Sequence, residues 1–221
     1  LHYRGLVTRA ADWMCSYRYD DSGLPRPSWD LWEERRGVHA WTVGATWAGL
    51  QAAANFAEAF GETELAVKYR KTAEEMKAGV KEYLMSSKMN CFARTINRQE
   101  DGTWAYDTTM DASLVGLWLF GMFAPDAPEI VATMERMRER LWVKTDVGGM
   151  ARYEDDYYHQ VADDVDEVPG NPWFICSLWL AQWHIAKASY LADLEPARDI
   201  LIWVADRDLR SGVMAEQVHP Y

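Results

Sequence analysis

Apolar residues recur every three or four positions over most of the chain, interrupted by shorter polar links marked with Pro and Gly. That spacing predicts helices. Residues 3–17 form the first, ending before Asp20-Asp21-Ser22-Gly23. Residues 38–60 form the second, with Trp41, Ala45, Ala48, Ala52 and Phe56 stepping onto one face and Gly61 as its stop. The third covers 63–85, with the stripe Leu65, Tyr69, Met76, Val80 and Leu84. Four more are predicted at 111–122, 127–141, 172–191 and 195–209. The period fails at 88–107, where two short runs flank Asp101-Gly102 and read as a β-hairpin. Residues 24–37 read as a loop, and 142–170 as a long polar loop of the kind that carries function in a helical domain.

Seven helices joined alternately by short turns and long loops predict an all-α chain, either an α/α barrel or an α-solenoid. The long loops would gather on one face and could build a site there. No repeat of roughly 34 or 40 residues is present, which counts against the solenoid. No linker appears, so residues 1–221 read as one domain.

The 221 residues are 49% hydrophobic, enough for a sizeable core. With 34 acidic against 23 basic residues and a net charge of −11, the chain is unsuited to a phosphate backbone; no nucleic-acid partner is expected. A neutral substrate is compatible with that charge. No run of about 18 apolar residues predicts a membrane span, and no membrane partner is expected. No secretory leader opens the chain, but Leu1 is not a start methionine, so the compartment is open and leans cytoplasmic. Three cysteines do not make a disulfide framework; Cys15 and Cys176 lie in apolar helical patterns and are expected in the core. The five histidines show no ligand spacing, and His184 reads as a core or boundary residue. The acidic stretch 163–167 lacks the order of a calcium loop. Neither a metal nor a cofactor is expected. Among 12 Trp and 11 Tyr, several lie in acidic loops, a placement that suits stacking on sugar faces.

Two glutamate-bearing segments attract attention. Glu33 and Glu34 sit between indoles and arginines in Trp29-Asp30-Leu31-Trp32-Glu33-Glu34-Arg35-Arg36. A carboxyl shielded by aromatic surface keeps its proton more readily and can act as a general acid. Glu216 lies in the Gly- and Pro-flanked terminal segment Gly212–Tyr221. Two carboxyls across a pocket are what glycoside hydrolysis requires, standing roughly 6.5–9.5 Å apart when water attacks directly.

The run Gly23–Arg35 resembles the acid-bearing loop of glycoside hydrolase family 15, which contains glucoamylases, glucodextranases and microbial trehalases. Ala215-Glu216-Gln217 is similar to the family's base-bearing loop. Gly148–Tyr157, followed by Gly170–Cys176, resembles its arginine-tyrosine substrate loop and the helix start after it. The resemblance implies that Glu33 is the general acid and Glu216 the general base. It implies that Glu34, Arg152 and Tyr153 bind the sugar, with Trp32, Trp173 and Asp156 lining the pocket. The activity implied is an exo-acting, inverting α-glucosidase that releases β-glucose from malto- or isomalto-oligosaccharides or trehalose. The spacing between Tyr157 and Gly170 departs from the fungal glucoamylases, which leaves the leaving-group side open.

The fold implied is a partial (α/α)6 barrel with about seven helices of twelve, lacking the first four and the last. Apolar faces would then need the missing barrel half, or self-association, to cover them. The alternatives from the residues alone are a non-catalytic α-helical module that binds a glycan or peptide, and another α/α-barrel carbohydrate enzyme.

Overall fold

The computed structural model describes residues 2–221; Leu1, the start of the expected single domain, lies outside them. The chain divides into two compact units, Leu1–Thr108 with Gly116–Ala124, and Thr109–Val115 with Pro125–Tyr221. Among the described residues there are seven α-helices and a small antiparallel sheet, so the all-α expectation holds.

In the first unit, a π-helical turn at Tyr3–Val7 leads into α1 (Thr8–Ser16). Next come strands β1 (Ser28–Trp29) and β2 (Arg36–His39), then α2 (Ala40–Ala59) and α3 (Thr63–Gly79), the latter prolonged by a π-helical turn at Val80–Leu84. β3 (Met85–Ser86), β4 (Cys91–Phe92), β5 (Thr95–Arg98), β6 (Trp104–Asp107) and α4 (Gly116–Leu119) complete it. The predicted Asp-Gly hairpin is β5–β6, in register from Thr95↔Asp107 to Arg98↔Trp104. Cys91 and Phe92 do not belong to it; they pair with Met85 and Ser86.

Two corrections follow. Residues 24–37 are not a plain loop: β1 and β2 form a second hairpin, and β2 joins β5 to make a sheet of order β1-β2-β5-β6. Strands of two and four residues among prolines and charges are too short to show alternation. The buried face of α2 is also not the predicted one. Val43, Gly44, Leu50, Ala53, Ala54 and Ala57 are buried, whereas Phe56 is 50% exposed. α2 is apolar nearly all round, and such a helix gives periodicity no face to select. α3 behaves as predicted over Tyr69, Met76, Val80 and Leu84, all fully buried. Its small residues Ala66, Ala73 and Gly79 are buried, and a Cβ at Gly79 would run into Ser22 O.

In the second unit, a 3-10 turn at Ala112–Val115 precedes α5 (Pro128–Leu141), α6 (Phe174–Lys187) and α7 (Glu195–Ala205). α5 has proline at its first position, where a missing N–H costs nothing. Trp183 on α6 is 1% exposed, and its Nε1 donates to Pro125 O at 2.9 Å. Cys176 and Cys91 are buried, but Cys15 is only half-buried, contrary to its expected place in the core. No described helix is long and apolar enough to cross a membrane.

Candidate active site

Trp32, Glu33 and Glu34 lie on the turn between β1 and β2. The strands pair through Ser28↔Gly37 and Trp29↔Arg36. A Cβ at Gly37 would run into Thr95 Cγ2, so only glycine lets β2 lie this close to β5. Asp30 organises the turn. Its amide donates to Arg35 O at 2.9 Å, and its carbonyl accepts from Glu33 N at 3.2 Å. Its carboxylate accepts the amides of Glu34 at 2.8 Å and Arg35 at 3.3 Å, a side chain standing in for a backbone turn.

Glu33 itself has φ +59°. A non-glycine residue in that left-handed region costs on the order of 1–3 kcal/mol and persists only where its surroundings over-determine it. The Glu33 side chain is exposed, not wrapped by the indoles, while Glu34 and Trp32 are half-buried. Glu34 pairs with Arg35 at 2.8 Å. Beneath the turn, His39 is 3% exposed. Its Nδ1 lies 2.7 Å from Thr95 Oγ1, and its Nε2 lies 3.2 Å from Ser28 O and 3.1 Å from Arg35 O.

Arg152, Tyr153, Asp156 and Trp173 form one cluster in the second unit. Arg152 donates to both Asp156 oxygens, Nε to Oδ2 at 2.8 Å and Nη2 to Oδ1 at 2.7 Å. Arg152 is 5% exposed and Asp156 is fully buried. The fork geometry suits a carboxylate, and an unpaired charge at this depth would be costly. Arg152 Nη2 also donates to Tyr153 Oη at 3.2 Å, and Asp156 Oδ1 accepts Tyr158 N at 3.0 Å. The guanidinium lies 4.9 Å from the Tyr153 ring, 5.1 Å from Tyr158 and 4.9 Å from Trp173. A Cβ at Gly170 would stand 2.7 Å from Asp156 Cβ, so glycine there leaves room for the pair.

Glu216 is exposed, on a segment fastened by its neighbours. Gln217 bridges Trp173 through the backbone, and its Oε1 accepts Asn171 Nδ2 at 2.9 Å. Val218 N donates to Pro172 O at 2.9 Å, and Thr145 Oγ1 donates to Pro220 O. Glu216 is thus placed one residue from the strand-like contact with Trp173.

Sequence reasoning assigned no role to Asp30, His39, Tyr158 or Asn171. The Asp30 turn carries a local signal, an Asp side chain capping amides a few residues on. The other three act across pairings that no local pattern reveals.

Other chemistry-bearing groups behave differently. Burial pushes the Cys176 thiol well up, with Asp111 adding to it, which disfavours a thiolate nucleophile there. Burial, then Lys187 and Arg138, push His184 down to about 4. His184 borders a groove of about 470 Å³ lined by Trp142, Leu180, Ile200 and Trp203, which contains none of the expected site residues. In the acidic stretch, Asp164 Oδ1 accepts the amides of Asp166 at 3.0 Å and Glu167 at 3.2 Å. Among the described residues, no group of three or more His, Cys, Asp or Glu could hold a metal ion.

Comparison with known proteins places these residues in context. The sequence model for glycosyl hydrolases family 15 matches residues 18–218. An uncharacterized glycosyl hydrolase of Methanocaldococcus jannaschii is 30% identical over 203 residues, covering 87% of this chain and 30% of that protein. A trehalase of Mycobacterium tuberculosis is 28% identical over 195 residues, covering 84% of this chain and 26% of that protein. The chain therefore spans under a third of the length of either relative. A bacterial glucoamylase solved in complex with acarbose matches with a TM-score of 0.77 at 21% identity, over 98% of this chain and 34% of that one. That likeness gives the fold: the seven helices are part of an (α/α)6 barrel, as expected.

Proposed function

Because the chain belongs to the glycosyl hydrolases family 15, we propose that it carries the acid and base of an exo-acting, inverting α-glucosidase. Glu33 is the general acid that protonates the departing glycosidic oxygen. Glu216 is the general base that draws a proton from the attacking water. Direct attack by water inverts the anomeric centre, so the product is β-glucose and no covalent intermediate forms. Arg152, Tyr153 and Glu34 bind sugar hydroxyls, and Trp32 and Trp173 offer ring faces. Asp156 holds the Arg152 guanidinium in one orientation, which lowers the entropy lost on binding a neutral sugar. The substrate class is neutral α-glucosides, with trehalose and malto- and isomalto-oligosaccharides as the members to try. On this reading residues 1–221 contribute to one catalytic domain, and the isolated chain has no or very weak activity.

The observation that supports this reading is Glu33 itself: an exposed carboxylate held in a left-handed conformation on a turn braced by Asp30. Conformational strain of that kind clusters at working sites. The test is turnover in the full-length protein. Glu33→Gln and Glu216→Gln each lower kcat by about 10²–10⁴-fold while sugar binding survives. Proton NMR of the first product formed gives the β-anomer. Normal turnover in either variant overturns the acid/base pair, and an initial α-anomer overturns inversion. Sugar binding without hydrolysis by the unsubstituted full-length protein favours a non-catalytic binding module.

A further inference from the structure

We infer that His39 is a positioning residue for Glu33, an inference that rests on the reading of Glu33 as the general acid. The imidazole is buried where the hairpin meets the sheet, and its two nitrogens face different kinds of partner. Nε2 faces two carbonyl oxygens, Ser28 O at 3.2 Å and Arg35 O at 3.1 Å. Carbonyl oxygens only accept, so Nε2 carries a proton and donates. Nδ1 faces the Thr95 hydroxyl at 2.7 Å, which can donate to it. The neutral ring is therefore the Nε2–H tautomer, locked by the strand opposite, where His39 pairs with Thr95.

The two carbonyls lie on the two arms of the hairpin, one on β1 and one at the last residue of the turn before β2. One N–H shared between them ties the two arms at the mouth of the turn, which the Asp30 hydrogen bonds also brace. Arg35 O also accepts the Asp30 amide at 2.9 Å, so both braces meet at one oxygen. Without the imidazole the turn keeps its strand pairing but loses the fixed separation of its arms. Glu33, already in a costly conformation, then samples others. A misplaced acid loses rate and leaves substrate binding nearly untouched, because protonation matters only in the transition state.

Two substitutions separate positioning from mere packing. His39→Phe keeps the ring volume and removes the donor. His39→Gln returns an N–H donor at a similar reach. In the full-length protein, His39→Phe lowers kcat by about 10–100-fold with KM changed less than about threefold, and His39→Gln recovers most of the loss. In the chain itself, ¹⁵N NMR taken where the His39 ring is neutral shows the proton on Nε2 and not on Nδ1. The amides of Glu34 and Arg35 exchange about tenfold faster in His39→Phe. A kcat unchanged in His39→Phe, a loss that His39→Gln does not rescue, or a bare Nε2 overturns the inference. If His39→Phe does not fold, His39→Gln and the tautomer decide the matter. Glu33→Gln is measured alongside. If it turns over normally, the assignment of Glu33 fails, whereas the tautomer and exchange measurements still judge the clamp on its own terms.

Discussion

The turn that carries Glu33 and the segment that carries Glu216 are held by different means. The hydrogen bonds from Asp30 and from His39 Nε2 that brace the Glu33 turn span 11 positions of chain or fewer, while β2 is joined to the distant β5 through Val38↔Ile96 and His39↔Thr95. The segment around Glu216 is tied across 46 positions to Asn171 and across 75 to Thr145. A short-range turn can form from its own residues. A long-range tether exists only while the loops that receive it are in place, since closing a long loop costs more entropy than closing a short one. One carboxylate is therefore positioned by local turn chemistry, and the other inherits its place from the unit beneath it.

The sharpest way to break that contrast is Arg152→Ala. It strands the fully buried Asp156 charge and destabilises the second unit by about 3–5 kcal/mol, read by chemical denaturation. If Glu216 depends on that unit, amide exchange at Val218 rises far more than at Glu34 and Arg35. Equal changes at both would dissolve the distinction.

A smaller effect comes from acid. His184, on α6 of the second unit, is held near 4, below its usual 6.5. Between those values the unfolded chain binds the proton and the folded one does not, so stability falls as pH drops from about 6.5 to about 4 and levels off below. The loss is on the order of 2–3 kcal/mol. His184→Gln flattens that part of the curve. A profile that keeps its slope in His184→Gln removes His184 as the cause.

The smallest effect pairs two truncations. Gln217→Ala removes one neutral hydrogen bond to Asn171 and costs about 0.5–1.5 kcal/mol. Asp30→Ala removes two amide bonds to a carboxylate, each stronger, and costs about 1.5–3 kcal/mol before the turn relaxes. Exchange at Val218 responds to the first and at Glu34 and Arg35 to the second. Crossed responses would mean that the two bracing systems are not separate.

The same contrast explains what could be read from the sequence. Helices α2, α3, α5 and α6 were legible because fourteen or more residues repeat the same period in each, whereas the helix expected at 111–122 is a 3-10 turn at Ala112–Val115 followed by the four-residue α4. α2 shows the limit: its extent was legible, but its buried face was not, since Ala and Trp occupy every side. The hairpin around Glu33 escaped notice because β1 has two residues and its prolines suggest only a loop. Glu33, Glu216 and the Arg152 loop could be singled out by motif, through resemblance rather than through spacing. The Arg152–Asp156 fork, the Asn171–Gln217 tie and the His39 clamp are products of backbone geometry outside helices, and side-chain identity alone does not announce them.

The left-handed backbone at Glu33 sets a limit on improvement. Glycine or asparagine would occupy that conformation more comfortably than glutamate does. Any search for hardier variants, by selection or by design, will be drawn to replace this residue and will discard its carboxylate in doing so. Resistance to heat or denaturant must then be sought elsewhere, in capped helix ends or better-filled interiors, with position 33 left as a deliberate weak point.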